Sequence, residues 1–368
     1  MKKLIYKIIT IINLLAVIAL ALSYLSVYIN PKQIWLVAFF GLAYPFLLFM
    51  NIFFLFFWMY HWKKQFLISL IIILAGWNYM AGFFQFPNKN KEPIPENSFK
   101  FISYNVRLFN RYNWADNKQA GQEMIQFVKA EQAEIVCFQE FYLRKDQEFN
   151  LRHVKQELSE LPYSHIGSVL ETNSYIYGIA TFSKHPIINK GIIEYPSTNN
   201  ISIYTDIQIN KDTLRIFNNH LQSIRFDRRN YKFIKNSKVY KDDARMEEIK
   251  AISYRLRDAF IKRAQQVQLL KFHLDNSPYP VVVCGDFNDT PVSYTYQQLQ
   301  KNYKDAFLES GKWFGTTYRG SFPSYRIDYI LYEPSLESHI FEIPRLSYSD
   351  HYPVVTILSI PRKNPSTD

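Results

Sequence analysis

Eight side chains, all in short polar interruptions of apolar sequence, are of types that suit phosphate chemistry. Asn105 stands in SYNVR, Glu140 in CFQE, His220 in NNHLQS, Asp286 and Asn288 in GDFND, Asp328 in RIDY, and Asp350 with His351 in SDHYP. Singly, each has an ordinary explanation, because Asn, Asp and Ser close strands and turns through their own hydrogen bonds and an isolated His or Glu is usually solvated. Collected, they supply oxygen ligands, two imidazoles and orienting amides. A phosphodiester repels hydroxide and hydrolyses slowly. A bound cation, a carboxylate and imidazole pair that sets protonation, and fixed donors aimed at the charged phosphorus centre are what overcome that barrier.

These residues must be held by the apolar runs that precede or follow them. FKFISYNV, AEIVCFQE, YGIATFS, SIYTDIQI, TLRIFNNHL, YPVVVCGD, RIDYILY and YPVVTILSI read as strands, with Asn105 and Glu140 ending the first two. Asn210, Lys211 and Asp212 separate two alternating runs as a hairpin turn would. Helical spacing is rarer. Met124, Phe127 and Val128 form one apolar stripe, and Ile249, Ile252, Leu256, Phe260, Val267 and Leu270 form a longer one. Many strands with few covering helices imply two packed sheets with helices outside.

The ordered series SYNVR, FQE, GIATFSKHP, NNHLQS, GDFND, RIDYI and SDHYP resembles the endonuclease/exonuclease/phosphatase superfamily over roughly residues 99 to 360. The resemblance implies an α/β four-layer sandwich, two central β-sheets flanked by helices, with the site at one edge. It implies that Glu140 binds Mg2+ (or Mn2+), with Asn105 nearby and Asp350 as a further candidate ligand, an oxygen-rich set of the kind a hard divalent cation takes. Asp286 and Asn288 would hold the attacking water and a phosphate oxygen. His351, oriented by Asp328, would be the general base or a phosphate contact, and His220 would stabilise charge on the equatorial oxygens. SYNVRLFN lacks the Asn-Gly-Leu-Arg continuation of abasic-site repair endonucleases, which disfavours chromosomal repair. The HLQ triplet is more similar to members acting on phospholipid head groups, inositol phosphates or nonspecifically on nucleic acid.

The first 86 residues are of another kind. Leu4 to Ile29, Ile34 to Tyr60 and Phe66 to Phe84 are apolar all round, and only Lys7 interrupts them with a full charge. Each is long enough to cross a hydrocarbon core of about 30 Å, so the expectation is three transmembrane helices. Lys2, Lys3 and Lys7 before the first stretch, and His61, Lys63 and Lys64 between the second and third, mark the cytoplasmic side; three crossings leave the catalytic domain extracytoplasmic. Lys89 and Lys91 weaken that charge bias, and Ala19-Leu20-Ala21 after a basic start also fits a cleaved signal peptide. PNKNKEPIPENS, residues 87 to 98, reads as a stiff polar linker, and residues 99 to 368 as the catalytic domain.

RFDRRNYKFIKNSKVYKDDAR opens the segment from Ile224 to Leu274 and is strongly basic with interleaved aromatics. It reads as a solvated excursion, or as a surface for an anionic membrane or nucleic acid. The net charge of +11 agrees with an anionic substrate but discriminates little, because many membrane proteins are basic for topological reasons. Cys137 and Cys284 lie inside apolar strands and read as core residues; no zinc spacing exists. Three readings stand: a membrane-anchored, metal-dependent phosphoesterase acting on lipid-derived or other small phosphates, a nonspecific nuclease, and a silent membrane-bound scaffold.

Overall fold

The computed structural model describes residues 2–87, 93–113, 116–226, 229–230, 233–234, 242–320 and 323–361. Two six-stranded sheets face each other. One runs Lys304–Asp305, Asp328–Tyr332, Val281–Asp286, Asp212–His220, Ile201–Ile209, Ile187–Glu194; the other runs Glu337–Glu342, Val354–Ser359, Ser98–Asn105, Ile135–Arg144, Tyr175–Ser183, Tyr163–Glu171. Each sheet is antiparallel except at its centre, where Ser98–Asn105 runs parallel to Ile135–Arg144 and Asp212–His220 parallel to Val281–Asp286. A parallel pair needs a long crossover. Helix Ala120–Ala130 lies within the first crossover and helix Asp242–Asp275 within the second.

The layers follow from burial. Phe101, Ile135, Cys137, Ile216, Cys284 and Ile330 pack between the sheets. Met124, Ile125 and Val128 cover the outer face of one sheet, and Ala264, Val267 and Leu270 cover the other. The first apolar stripe therefore faces a sheet, and so does the Val267 and Leu270 end of the second, whereas Ile249 is exposed and Phe260 meets the Phe39 ring at 5.3 Å; both cysteines are buried and free. Asn210 takes φ 56° at the expected hairpin turn.

Among the described residues, three strands longer than two residues were not marked by an apolar run. Ile187–Glu194 and Glu337–Glu342 lie at or beside sheet edges and are largely exposed, and Tyr163–Glu171 closes the far edge of its sheet. An edge strand with one wet face needs no continuous apolar stretch. The Ile135–Arg144 strand also corrects an expectation, since it does not end at Glu140. It shifts register between Phe138 and Phe141 and continues, leaving Glu140 at φ 50° in a bulge.

The N-terminal part departs further. Among the described residues, helix Lys2–Leu25 alone is continuous and long enough to cross a membrane; Leu36–Leu42 and Tyr44–Tyr60 meet at a 66° bend, and the third apolar stretch is split into Phe66–Ala75 and Trp77–Ala81. Three unbroken spans are therefore not what forms. At the break, Gly76 leaves room for a neighbour: a Cβ there would lie 2.1 Å from the ring of Tyr24, whose hydroxyl donates to the Ile72 carbonyl at 2.9 Å. The helices nonetheless make one bundle. Trp58 Nε1 donates to Asn13 Oδ1, and Asn13 Nδ2 donates to Ser69 Oγ, each at 2.9 Å, tying the three segments at one level.

The bundle is not merely tethered. Phe84–Gln85 pairs with Trp313–Phe314, and Leu20, Val27, Tyr44 and Val292 share one apolar cluster. Tyr325 donates to the Leu42 carbonyl at 2.9 Å, and Arg326 Nη1 donates to the Gly82 carbonyl at 3.0 Å. Residues 88–92 of the expected linker, and most of the basic run after Phe226, lie outside the described residues.

Candidate active site

The parallel register in the centre of one sheet sets His220 opposite Asp286, and the antiparallel register beside it sets Asp328 opposite Asp286. Three candidate side chains, one imidazole and two carboxylates, thus meet at three neighbouring strand ends. Gly285 permits it: at φ 124° it approaches the Asn219 backbone so closely that a Cβ would lie 2.0 Å from the Asn219 carbonyl oxygen. From the facing sheet, Asn105 Nδ2 donates to Asp286 Oδ2 at 2.9 Å.

Two arms meet at Asp286. In one, Asp328 accepts from or faces His351 Nδ1 through both oxygens at 2.9 and 3.1 Å, and His351 Nε2 lies 3.8 Å from Asp286 Oδ2. Burial alone would lower the His351 pKa, but Asp328, then Asp286 and Asp350, raise it to about 10. In the other arm His220 Nε2 lies 3.7 Å from Glu140 and 4.0 Å from Asp286, hydrogen-bonded to neither and buried without a partner. Burial, with His351 and Arg225 adding, holds His220 down to about 3, so it is neutral. Burial pushes Glu140 up to about 7, with Asp350 adding and His351, Arg107 and Asn105 opposing. Asp286 also rises to about 7; burial leads, Asp328 adds, and His351, the Asn288 amide and Asn105 oppose.

All eight residues converge, though not all as expected. The Asn288 backbone N–H donates to Asp286 Oδ1 at 2.8 Å, with Asn288 at φ 54°, while its carboxamide donates to the Leu221 carbonyl at 3.0 Å. Asp350 is ion-paired with Arg107 at 3.2 Å. Asp289 is held by the buried guanidinium of Arg263 at 3.0 Å and stands apart from the eight.

Sequence reasoning missed Arg107, Gln139 and Asn218. Gln139 Nε2 donates to Asn218 Oδ1 at 2.7 Å, and Asn218 donates to the Phe138 and Ala180 carbonyls, pinning the two sheets together one residue from Glu140 and two from His220. The only sequence signal was their adjacency to the motif residues in FQE and NNH. Thr317 was missed as well: its Oγ1 accepts from the Ile327 and Asp328 amides at 3.0 and 3.1 Å and fixes the start of the Asp328 strand.

A divalent cation fits this centre on its donors. Asp286, Asp328 and His351 offer atoms within 4.8 Å of one another. His351 is a poor ligand, however, because its Nδ1 faces Asp328 and its raised pKa keeps both nitrogens protonated, whereas a ligand imidazole must be neutral. The Glu140 side suits a cation better. There a carboxylate is pushed toward neutrality even with His351 and Arg107 opposing, and an amide oxygen, that of Asn105, stands close by.

The family model described as Endonuclease/Exonuclease/phosphatase family matches residues 102–351. A second model, described as a domain of unknown function, matches residues 6–83. No curated protein matches the chain. Among solved structures, an endonuclease/exonuclease/phosphatase from Beutenbergia cavernae is similar at 13% identity and TM-score 0.51, covering 72% of each chain. The human nocturnin catalytic domain with bound sulfate is 18% identical with TM-score 0.50, covering 73% of this chain and 97% of that one. Humanized D. rerio TDP2 is 14% identical with TM-score 0.51, covering 72% and 100%. These likenesses are to the fold.

Proposed function

The chain belongs to the endonuclease/exonuclease/phosphatase family, whose members are metal-dependent phosphoester hydrolases, and from that premise we propose a membrane-held phosphoesterase acting on lipid-derived or other small phosphates. The observation that carries the catalytic part is the buried, unpartnered His220 Nε2 between Glu140 and Asp286. A polar atom so placed is satisfied only by something that enters the site.

Glu140, with Asn105 beside it and Asp350 at the rim, would hold Mg2+ or Mn2+. When bound, the cation neutralises phosphate or leaving-group oxygen charge. Asp286 and the Asn288 loop hold the attacking water, which forms the new P–O bond as the bond to the leaving group breaks. The protonated His351, held by Asp328, gives a proton to the leaving oxygen, and the proton released by the attacking water restores it. His220, neutral, donates toward an equatorial oxygen. Magnesium dependence tests this: excess chelator should abolish hydrolysis, and Glu140→Gln, which keeps shape and loses charge, should lose most activity at limiting magnesium. Full activity in either case sinks the assignment.

A nuclease reading is supported by a different observation. Two residues beyond Glu140, Tyr142 stacks on Tyr175 at 5.3 Å with the Arg111 guanidinium 4.4 Å over its ring, a surface on which a base can stack. The silent scaffold is set aside, because every catalytic type is present and converges.

The bundle would sit in the bilayer. Helix Lys2–Leu25 from Tyr6 onward is about 30 Å long, matching the hydrocarbon core, and its flank is lined by exposed Leu4, Ile8, Ile11, Leu15 and Ile18. Its basic end packs with His61 against Tyr6 at 5.5 Å, while the catalytic domain joins the opposite end. Basic residues at the far end support extracytoplasmic placement. Protease added outside an intact inner membrane should digest the catalytic domain; protection there would reverse the orientation.

A further inference from the structure

The catalytic domain carries one exposed aromatic pair where it meets the bundle. Trp313 and Phe314 are 56% and 65% exposed, yet they form the short strand that pairs with Phe84–Gln85 at the end of the apolar bundle. Phe84 contacts both rings, at 6.1 and 5.1 Å, and Phe86, itself exposed, lies 5.0 Å from Phe84. Through Phe84, the exposed aromatics at the end of the bundle thus continue onto the catalytic domain. Arg345 donates to the Phe314 and Thr316 carbonyls, at 3.0 and 2.6 Å, placing a guanidinium just behind the pair. Aromatics at the end of a membrane-length bundle, backed by a cation, are the composition of a bilayer's interfacial layer.

The same segment runs directly into the site. The Tyr352 amide donates to the Thr317 carbonyl at 2.7 Å, the Arg319 amide donates to the Asp350 carbonyl at 2.8 Å, and Tyr318 bridges His351 with its ring 5.2 Å from the imidazole. Five peptide steps run from Trp313 to Tyr318, so at about 3.6 Å each the Tyr318 backbone lies at most roughly 18 Å from that of Trp313, and the His351 ring lies 5.2 Å from the Tyr318 ring. A headgroup layer on one side of a bilayer is about 5–8 Å thick, so at the full span a lipid phosphate would have to rise from that layer to meet the site.

We propose that Trp313 and Phe314 insert into the bilayer interface and that the substrate is a phosphoester anchored in that same leaflet, reaching the site along the surface rather than from solution. This rests on the phosphoesterase reading above and narrows it. The occupant is a lipid surface because the pair is continuous with the exposed aromatics at the bundle's end; a peptide or a nucleic acid would have no need of that continuity.

The full chain reconstituted in phosphatidylcholine vesicles tests the proposal. The vesicles carry phosphatidate, phosphatidylinositol, phosphatidylglycerol or sphingomyelin in turn, and bis(4-nitrophenyl) phosphate serves as the water-soluble ester. At least one vesicle lipid should be hydrolysed. The double variant Trp313→Ala, Phe314→Ala should cut that rate about tenfold or more while the soluble ester is hydrolysed within about twofold of wild type. Trp313→Phe should reduce the tryptophan fluorescence that brominated lipid quenches. If the soluble ester is cleaved and no lipid is, or if the double variant loses both rates alike, or if quenching is unchanged in Trp313→Phe, the inference falls and the phosphoesterase reading stands. If wild type cleaves neither ester, the phosphoesterase reading falls with it.

Discussion

The two arms of the site contain the same chemical parts, an imidazole and a carboxylate apiece, and treat them in opposite ways. His351 is bonded to Asp328, and the resulting pair is charged, paired and fixed. His220 stands 3.7 Å from Glu140 without bonding to it, and there the imidazole is neutral and the carboxylate is driven toward neutrality. One arm is complete as the chain folds; the other is arranged for charge that the chain does not supply. Asp286, within 4.0 Å of both imidazoles, is the hinge between them. The lesson is that protonation at this centre is decided by which carboxylate makes contact, since both imidazoles are buried alike.

The strongest way to break that comparison is to attack the completed arm. Asp328→Asn and His351→Ala should each lower kcat by roughly 10²–10⁴, the range of positioned acid–base groups. The double variant should be little worse than the poorer single one, because the two act as a unit. Losses that multiply would separate them and leave Asp328 as a strand-end residue held by Thr317.

A smaller effect should come from the incomplete arm. Asn105→Ala removes the amide that bonds Asp286 at 2.9 Å and stands beside Glu140. Half-saturating magnesium should rise about 10–100-fold, with much of kcat recovered at saturation. A fallen rate with unchanged magnesium dependence would confine Asn105 to holding Asp286.

His165 sharpens the comparison from outside the site. It is buried, its Nδ1 is 2.9 Å from Thr205 Oγ1 on the facing sheet, and burial, with Lys190 adding, lowers its pKa to about 4. The unfolded chain binds this proton near pH 6.5, so the fold keeps its full stability above that and loses up to about 3 kcal/mol as pH falls from 6.5 to 4. His165→Gln should flatten that limb of thermal midpoint against pH without changing hydrolysis at neutral pH. An unchanged acid limb would show that His165 protonates without cost.

Why the sequence revealed the site so fully is now physical. Most of the eight residues end or border an apolar run, and a strand end is where a polar side chain faces solvent and substrate together; Glu140 is the exception, set in a bulge within its strand. What it hid depends on tertiary contact. Nothing in IVCFQEFYLR marks the bulge that turns Glu140, because the bulge is fixed by pairing with Tyr175–Ser183. The third apolar stretch carries a glycine at its break, but the close packing of Tyr24 from another helix against Gly76 is visible only in the fold. Arg107 and Gln139 are ordinary residues until Asp350 and Asn218 are set beside them.

Arg326 carries a consequence for anyone handling this protein. It is buried against Asp305, donates to the carbonyl of Gly82, and lies two residues before Asp328. A fragment begun at Phe99 would strip away that carbonyl, costing about 1–3 kcal/mol for a buried donor left without its acceptor, and would bare Val292 and the back of the Trp313 strand. The catalytic half is therefore not a portable cassette: grafted onto another anchor or expressed alone, it would carry a wound at the base of its own acid–base pair.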